Sequence, residues 1–400
     1  MGDARRIVFL FGSGISKPAG MPLGDEITQR VLSGEGALYY NDDVYIFDPK
    51  YGPGKGRSCF FPDEYVWRIV ELLKALKAAL EAAPRPPGCG FPNYEELFDA
   101  AVQIHDAVQC QEPVDLPWGR LAAQLNCELR HVWPKRQGEL HDRDLEWLAQ
   151  QVTTYIQCLV PHVLNRCPTR LGHLDWVAKA CCDQDFAGVD IFTLNHDTVL
   201  EASLAERDLG GPATNGFDAR ENDLCHWNPG LYEAPQMRVR LVKLHGSVNW
   251  FMFKPIEAVG FYHPLLAMPA HGRQSYTLRG RGGEEFVFQS SRPVLLNGVQ
   301  TKISAYGNWL FEPLFRLFRG SLSACSDLLV CGYGFRDPGV NEILADWLGA
   351  SGGRRPVVID KNPETLAHAM STFASKGTLK IVKKWVEEVR WPDIKRETWP

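Results

Sequence analysis

Four turns carry the residue types on which chemistry would depend, and each follows an apolar run. Gly12-Ser13-Gly14-Ile15-Ser16 comes directly after Ile7–Phe11. Two glycines there let the backbone approach a phosphate and turn N–H groups toward it. Lys17 occupies the place of the third glycine in G-x-G-x-x-G, and Pro18 after it rules out a P-loop. Thr193-Leu194-Asn195-His196-Asp197 sets an amide and a carboxylate where a polar ligand could be fixed. Lys243-Leu244-His245-Gly246-Ser247 offers an imidazole beside an uncrowded glycine, and imidazole titrates near neutrality as a general base requires. Gly332-Tyr333-Gly334-Phe335-Arg336-Asp337-Pro338 opens a second turn suited to a phosphate or a ribose. Asp360, after the next apolar run, is placed to accept hydrogen bonds from ribose hydroxyls. Each motif also has a purely structural reading. The glycines can close tight turns, Asn195 and Asp197 a turn and a helix cap, His245 a satisfied core contact, and Asp360 a cap shared with Asn362.

These turns must be held by strands and helices whose pattern is legible. Short strands of four to seven residues, rich in apolar side chains, are expected at Ile7–Phe11, Val189–Leu194, Arg238–Leu244, Leu328–Cys331, Val357–Asp360 and Leu379–Val382 and alternate with helical segments. The helices are expected at Asp197–Arg207, Trp309–Leu322, Val340–Leu348 and after Pro363. This alternation predicts an α/β fold with a doubly wound parallel sheet and right-handed crossovers. In such sheets ligands lie at the carboxyl ends of the strands, next to the point where strand order reverses. Val248–Phe253 and Glu285–Phe288 read as further strands, with Trp250 and Phe253 in the core.

Between these halves the pattern turns helical. A helix from about Gly24 through Val31 leads into a loop-rich stretch from Ser33 to about Pro62. Asp63–Ala82 is amphipathic, 83–92 is a Pro/Gly linker, and Asn93 caps a helix through Val108. A long helix over His141–Val160 should stop at Pro161. The expected organisation is therefore an α/β domain over 1–33 and 166–400, with a helical insertion at 34–165. The tail residues Trp385, Val386, Val389 and Trp391 are expected to pack on the domain.

Composition narrows the function. The 400 residues carry 43 basic and 48 acidic side chains, a net charge of −5, and the basic pairs are short and scattered. No concentrated positive face for direct nucleic-acid binding is expected. The apolar content of 45% excludes disorder, and no apolar run approaches the length of about 18 residues needed to span a membrane. The first apolar run is too short for an export signal, and Arg6 stands where myristoylation needs Ser or Thr. Eleven cysteines, an odd number with no C-x-x-C spacing, read as reduced thiols of a cytoplasmic protein.

The motifs together resemble the sirtuin family. Gly12-Ser13-Gly14-Ile15-Ser16 with Ala19-Gly20-Met21-Pro22 resembles G-A-G-I-S-x-x-A-G-I-P, and Thr193-Leu194-Asn195-His196-Asp197 resembles T-Q-N-I-D. His245-Gly246 resembles the H-G that holds the family's catalytic histidine. The Gly332-Tyr333 turn and Asp360 resemble its later nucleotide-binding positions. The resemblance covers roughly 5–32 and 185–382 in the family's order. It departs in two places: Leu23-Gly24-Asp25 replaces D-F-R, and no cysteine lies between Cys225 and Cys325, where deacylating sirtuins carry a four-cysteine zinc module.

The chain is thus more similar to bacterial sirtuin-like proteins of antiphage defence. That similarity implies an NAD hydrolase with NAD as substrate and no zinc. It also implies a homo-oligomer and names a HerA-type ATPase as a candidate partner. By the same resemblance Asn195 orients water and ribose, and His245 is the general base. Gly12, Ser13, Gly14 and Ser16, with Gly20, cradle the diphosphate, Asp197 binds the nicotinamide carboxamide, and Gly332, Tyr333 and Asp360 address the adenosine half. The alternatives are an NAD-dependent protein-lysine deacylase, ranked lower for want of the cysteines, and an NAD or ADP-ribose sensor without turnover. A sensor would have no need of the Asn195 and His245 pair.

Overall fold

Arg6–Phe11 is the central strand, and its side chains show why the sheet is covered on both faces. Ile7, Phe9 and Phe11 enter one core with Trp176, Val177, Val389, Trp391 and Ile394. Val8 and Leu10 enter another with Phe315, Phe318, Val340 and Leu344. Successive strand residues point to opposite faces, so an unbroken apolar run demands a layer of helix on each side. In this computed structural model the described residues are 6–41, 44–50, 64–84, 90–129, 143–256, 264–269, 277–280, 282–350, 353–363 and 379–398. The expected helix after Pro363, the expected helix start at His141 and the middle of the 83–92 linker lie outside them.

Seven strands make one parallel sheet, in the spatial order Lys380–Val382, Arg355–Ile359, Asp327–Cys331, Arg6–Phe11, Gly188–Thr193, Val239–Lys243, Ala213–Thr214. On one side of Arg6–Phe11 the chain lays Gly188–Thr193, then the edge strand Ala213–Thr214, then Val239–Lys243 between those two; it returns to Asp327–Cys331 on the other side and continues outward there. Strand order therefore reverses between Arg6–Phe11 and Asp327–Cys331, and their carboxyl ends are Gly12 and Gly332. The α/β fold with a doubly wound parallel sheet is as expected.

Contacts divide the chain into two compact units: Met1–Met21, Leu164–Leu296 and Ile303–Pro400 form the first, and Pro22–Val163 with Asn297–Lys302 the second. The first holds the parallel sheet and an antiparallel sheet that sequence reading only glimpsed. Its strands run in the order Thr277–Arg279, Glu285–Phe288, Phe251–Pro255, Leu265–Pro269, Leu224–His226. Phe251–Pro255 replaces the expected Val248–Phe253. Val248 and Trp250 instead belong to a turn tied down by Val248 N–H to the His196 carbonyl (3.0 Å) and Val294 N–H to the Trp250 carbonyl (2.8 Å).

The second unit contains the helices Gly24–Ser33, Glu64–Ala82, Tyr94–Gln109 and Pro117–Glu128, and nearly all of Arg143–Leu164. Asn93 caps Tyr94–Gln109 through Oδ1 to the N–H groups of Glu95 and Glu96, and Glu96 returns a bond to Asn93 N–H. Two expectations fail here. The stretch after Ser33 contains a hairpin, Ala37–Asn41 with Val44–Phe47, built on the edge-to-face pair Tyr39 and Tyr45. The long helix runs through Pro161 to Leu164. Burial of Val163 and Leu164 outweighs the loss of a single hydrogen bond in a last turn. Asp99 accepts from the N–H groups of Val299 and Gln300 (2.6 Å each), which holds Asn297–Lys302 to this unit.

One ion pair is central to the first unit. Asp190, 2% exposed, accepts from Arg6 Nε and Nη2 (2.9 and 2.7 Å), and Arg240 Nη1 lies 3.7 Å away. Asp190→Ala is expected to lower stability by about 1–3 kcal/mol, since it leaves the half-buried guanidiniums of Arg6 and Arg240 without their shared carboxylate. A urea unfolding midpoint indistinguishable from the parent would contradict this.

Tail residues Val386, Val389 and Trp391 are buried, as expected, while Trp385 is exposed. Trp391 packs 5.9 Å from Phe9 and donates Nε1–H to Asp183 (2.7 Å). No helix among the described residues is long and apolar enough to cross a membrane.

Candidate active site

The two glycine turns meet at the point of strand reversal. Gly14 N–H donates to the Gly332 carbonyl (2.9 Å) and Gly12 N–H to that of Cys331 (3.1 Å). A Cβ on Gly12 would lie 2.6 Å from the Gly332 oxygen, and one on Gly14 would lie 2.7 Å from Gly332 Cα. The glycines are therefore required by backbone meeting backbone, whatever ligand follows. Within the turn, Ile15 N–H donates to Gly12 and Ser16 N–H to Ser13. Ser13 is exposed, and neither its N–H nor its hydroxyl makes these bonds, so it is the polar group the turn presents outward.

Asn195 joins this turn from the neighbouring strand. Its buried Nδ2 donates to the Gly12 carbonyl (3.1 Å) and to Ser16 Oγ (3.0 Å). A carbonyl can only accept, so the orientation of the amide is fixed and Oδ1 faces the other way. Oδ1 is the atom left to meet solvent or a ligand.

His245 ends the next strand along. Its carbonyl accepts from Leu296 N–H (2.9 Å), and Ser247 Oγ donates to the His196 carbonyl (3.3 Å), which locks the loop to the strand end that carries Asn195. Nε2 of His245 lies 3.1 Å from Asp337 Oδ2, the two side chains being 3% and 9% exposed. The phenol of Tyr306 donates to the same carboxylate, 2.8 Å from each oxygen. Asp337 Oδ1 also caps the helix Pro338–Ala350 through Val340 N–H (3.0 Å).

The remaining predicted residues divide. Asp197 is buried, its Oδ1 accepts from Val199 N–H (3.0 Å), and its carbonyl accepts from Lys243 Nζ. Lys243, itself buried, is further tied to Glu201 (2.8 Å). Tyr333 is committed internally: its hydroxyl bonds Asn341 Oδ1 (2.9 Å) and the backbone of Asp337. Those bonds steady a turn in which Phe335 adopts φ +53°, rare for a side chain with Cβ. Gly20 closes a short helical turn at φ +89° beside Thr169, and Asp360 Oδ1 accepts from Asn362 N–H (2.7 Å). Neither is bonded to the Gly12–Asn195–Gly332 group. Sequence reading missed Asp337 and Tyr306 as partners of His245. It saw Asp337 only as a helix cap, and no local signal links either residue to a histidine so distant in sequence.

Burial disfavours the thiolate form of the buried cysteines. Burial pushes Cys181 and Cys325 up to about 12, and Cys331, beside the glycine turns, still higher. Among the described residues no group of three or more His, Cys, Asp or Glu side chains is placed to hold a metal ion.

His173 braces the first turn from beneath, with Nε2 2.8 Å from the Ile15 carbonyl. Burial lowers its pKa below the ordinary 6.5 against the pull of that carbonyl. The unfolded chain therefore takes up a proton first. Stability from this residue is fully present above pH 6.5 and falls as the pH drops toward the lowered folded value. His173→Gln is expected to flatten the melting-temperature profile in that window, and an unchanged slope would contradict it. A cleft of about 700 Å³ is lined by Pro18, His173, Trp176, Lys179, Arg390 and others, and neither Asn195 nor His245 is part of its lining.

Residues 189–381 match the SIR2-like domain family, a span that includes Asn195, Asp197, His245, Gly332, Tyr333 and Asp360. No curated protein matches the chain. Among solved structures, "Sir2 bound to acetylated peptide" is similar at 12% identity and TM-score 0.35. "Sir2-p53 peptide-NAD+" is similar at 13% identity and TM-score 0.36. Each alignment covers 99% of this chain and 94% of the other.

Proposed function

We propose that the first unit binds NAD as substrate and hydrolyses its nicotinamide–ribose bond, giving nicotinamide and ADP-ribose. The observation that carries this reading is the bonding of Asn195 to both Gly12 and Ser16 at the strand reversal, with His245 on the adjacent strand end.

Nicotinamide leaves as a neutral molecule from a cationic ring, taking the electron pair of the C–N bond, so the leaving group needs little acid help. The chain has to hold the sugar, place water on its open face and accept a proton. Asn195 Oδ1, its amide hydrogens already engaged, accepts from water or a ribose hydroxyl. His245 accepts the proton as the water oxygen bonds to the anomeric carbon. Ser13 supplies the outward donor of the first turn, while Gly12, Gly14, Ser16 and Gly20 shape it for the diphosphate. Asp197 retains a carboxylate oxygen for the nicotinamide carboxamide. Gly332, Tyr333 and Asp360 form the adenosine side, Tyr333 by holding the turn.

Purified protein incubated with NAD alone is expected to release nicotinamide and ADP-ribose in equal amounts. Release only when an acyl-lysine peptide is added would identify a deacylase instead. Binding without release would identify a sensor. The motif resemblance to antiphage proteins supports a role in NAD depletion during infection, carried out by a homo-oligomer with a HerA-type ATPase. Sedimentation showing only an active monomer at working concentration would count against that assembly.

A further inference from the structure

The cleft beside His173 is lined by charges that the protein does not pair. Arg170, Lys179 and Arg390 are all exposed along it. Among the described residues no carboxylate bonds to any of the three, and Arg390 reaches only the backbone carbonyls of Glu387 and Val389. Asp175, an acidic residue of the same lining, is already committed to Arg207 at 2.6 Å. Glu387 is the acidic side chain left to oppose the three cations. The deeper lining is aromatic and apolar, with Trp176, Val389 and Trp391 buried.

Two polar atoms of this lining are buried and bonded to nothing in the protein, Trp176 Nε1 and His173 Nδ1. Trp176 is 2% exposed, and its indole nitrogen can only donate. In His173 the Ile15 carbonyl accepts from Nε2, so Nδ1 holds a lone pair in the neutral ring and donates once the ring is protonated. Buried polar groups ordinarily have partners. Trp391, lining the same cleft, obeys that rule by donating Nε1–H to Asp183 (2.7 Å).

We propose that this cleft is a second ligand site, which takes a nucleoside diphosphate and holds its phosphates with Arg170, Lys179 and Arg390. Unpaired guanidinium and ammonium groups around one opening suit a polyanion. The volume of about 700 Å³ and the mixture of apolar surface with a few polar groups are those of a small-molecule site. Neither Asn195 nor His245 lines the cleft, so the site is separate from the proposed reaction and does not depend on whether NAD is hydrolysed. His173 reports its occupancy. The charges facing that ring are Asp175, Glu387 and Arg207, with Arg170, Lys179 and Arg390 along the lining. A bound phosphate adds negative charge beside an imidazole whose protonation burial disfavours, and so raises its pKa.

ADP is the probe. The His173 ring signal, followed by NMR and assigned by its loss in His173→Gln, is expected to titrate at higher pH in saturating ADP. Arg170→Ala combined with Lys179→Ala removes two exposed side chains and is expected to weaken ADP at this site at least about tenfold. Asn195→Ala is expected to leave the ADP-induced shift in place. A shift lost in Asn195→Ala but kept in the double variant would put ADP at the glycine turns and overturn the proposal. No shift in the wild-type chain, which needs no substitution to test, would overturn it as well. So would an equal shift with inorganic phosphate at the same concentration, the mark of an adventitious ion only. ADP-ribose separates the two sources of the ligand. Tighter binding than ADP makes the occupant the product of the proposed reaction, weaker binding a nucleotide from elsewhere, and either upholds the site.

Discussion

His245→Ala is expected to bind NAD about as tightly as the parent and to release nicotinamide at least about a hundredfold more slowly, the lower range for loss of a general base. The backbone of the loop is held by bonds that do not involve the imidazole, among them Leu296 N–H to the His245 carbonyl and Val248 N–H to the His196 carbonyl. The fold should therefore survive the change. Asn195→Ala is expected to differ in kind. It removes the acceptor for water together with the two bonds that tie Gly12 and Ser16 to the neighbouring strand, so turnover and affinity should fall together. Asn195→Asp should be no milder, since a carboxylate would face the Gly12 carbonyl with nothing to donate. Single-turnover rates and NAD titrations of folded variants separate these outcomes. Continued turnover in both alanine variants would remove the two residues from the reaction.

The largest structural effect is expected from Gly332→Ala. At φ +66° a side chain is disfavoured, and the added carbon would stand 2.5 Å from the Ile15 nitrogen and 2.9 Å from Gly14 Cα. Neither neighbour is the flexible end of a side chain, so the whole of the first glycine turn must shift. The conformational penalty alone is about 1–2 kcal/mol, and with the displacement a loss of roughly 3 kcal/mol or more is expected, together with at least tenfold weaker NAD binding. Gly24→Ala is the control, because nothing lies within 4 Å of its added carbon. Its unfolding midpoint should match the parent. Equal, small effects at both positions would show that the two turns do not depend on their close approach.

The sequence revealed most where a single local rule decides the structure. The run Ile7–Phe11, apolar on both faces, reads as a covered parallel strand, and Asn93 before an apolar-periodic segment reads as a helix start. The glycine pairs, Asn195 and His245 were legible because strand ends are where such sheets bind ligands. Elements whose local signal is weak were not legible. Leu224–His226 and Thr277–Arg279 are three residues each, too short for alternation to register, and they exist because the antiparallel sheet around Phe253 and Phe286 recruits them. The pairing of His245 with Asp337 joins residues whose own surroundings each suggest something else. Only the meeting of strand ends across the reversal reveals it.

The position of Arg6–Phe11 at the centre of the sheet has a consequence for biogenesis. Both of its hydrogen-bonded neighbours, Gly188–Thr193 and Asp327–Cys331, are translated much later, the second after roughly 300 further residues. At about 5–20 residues per second, that leaves one of the most apolar stretches of the chain without its final partners for tens of seconds. Sheet closure by such long-range pairing is intrinsically slow. The nascent polypeptide is thus expected to lean on chaperones, and brief heat shock during synthesis should cost more soluble yield than the same treatment of the finished molecule.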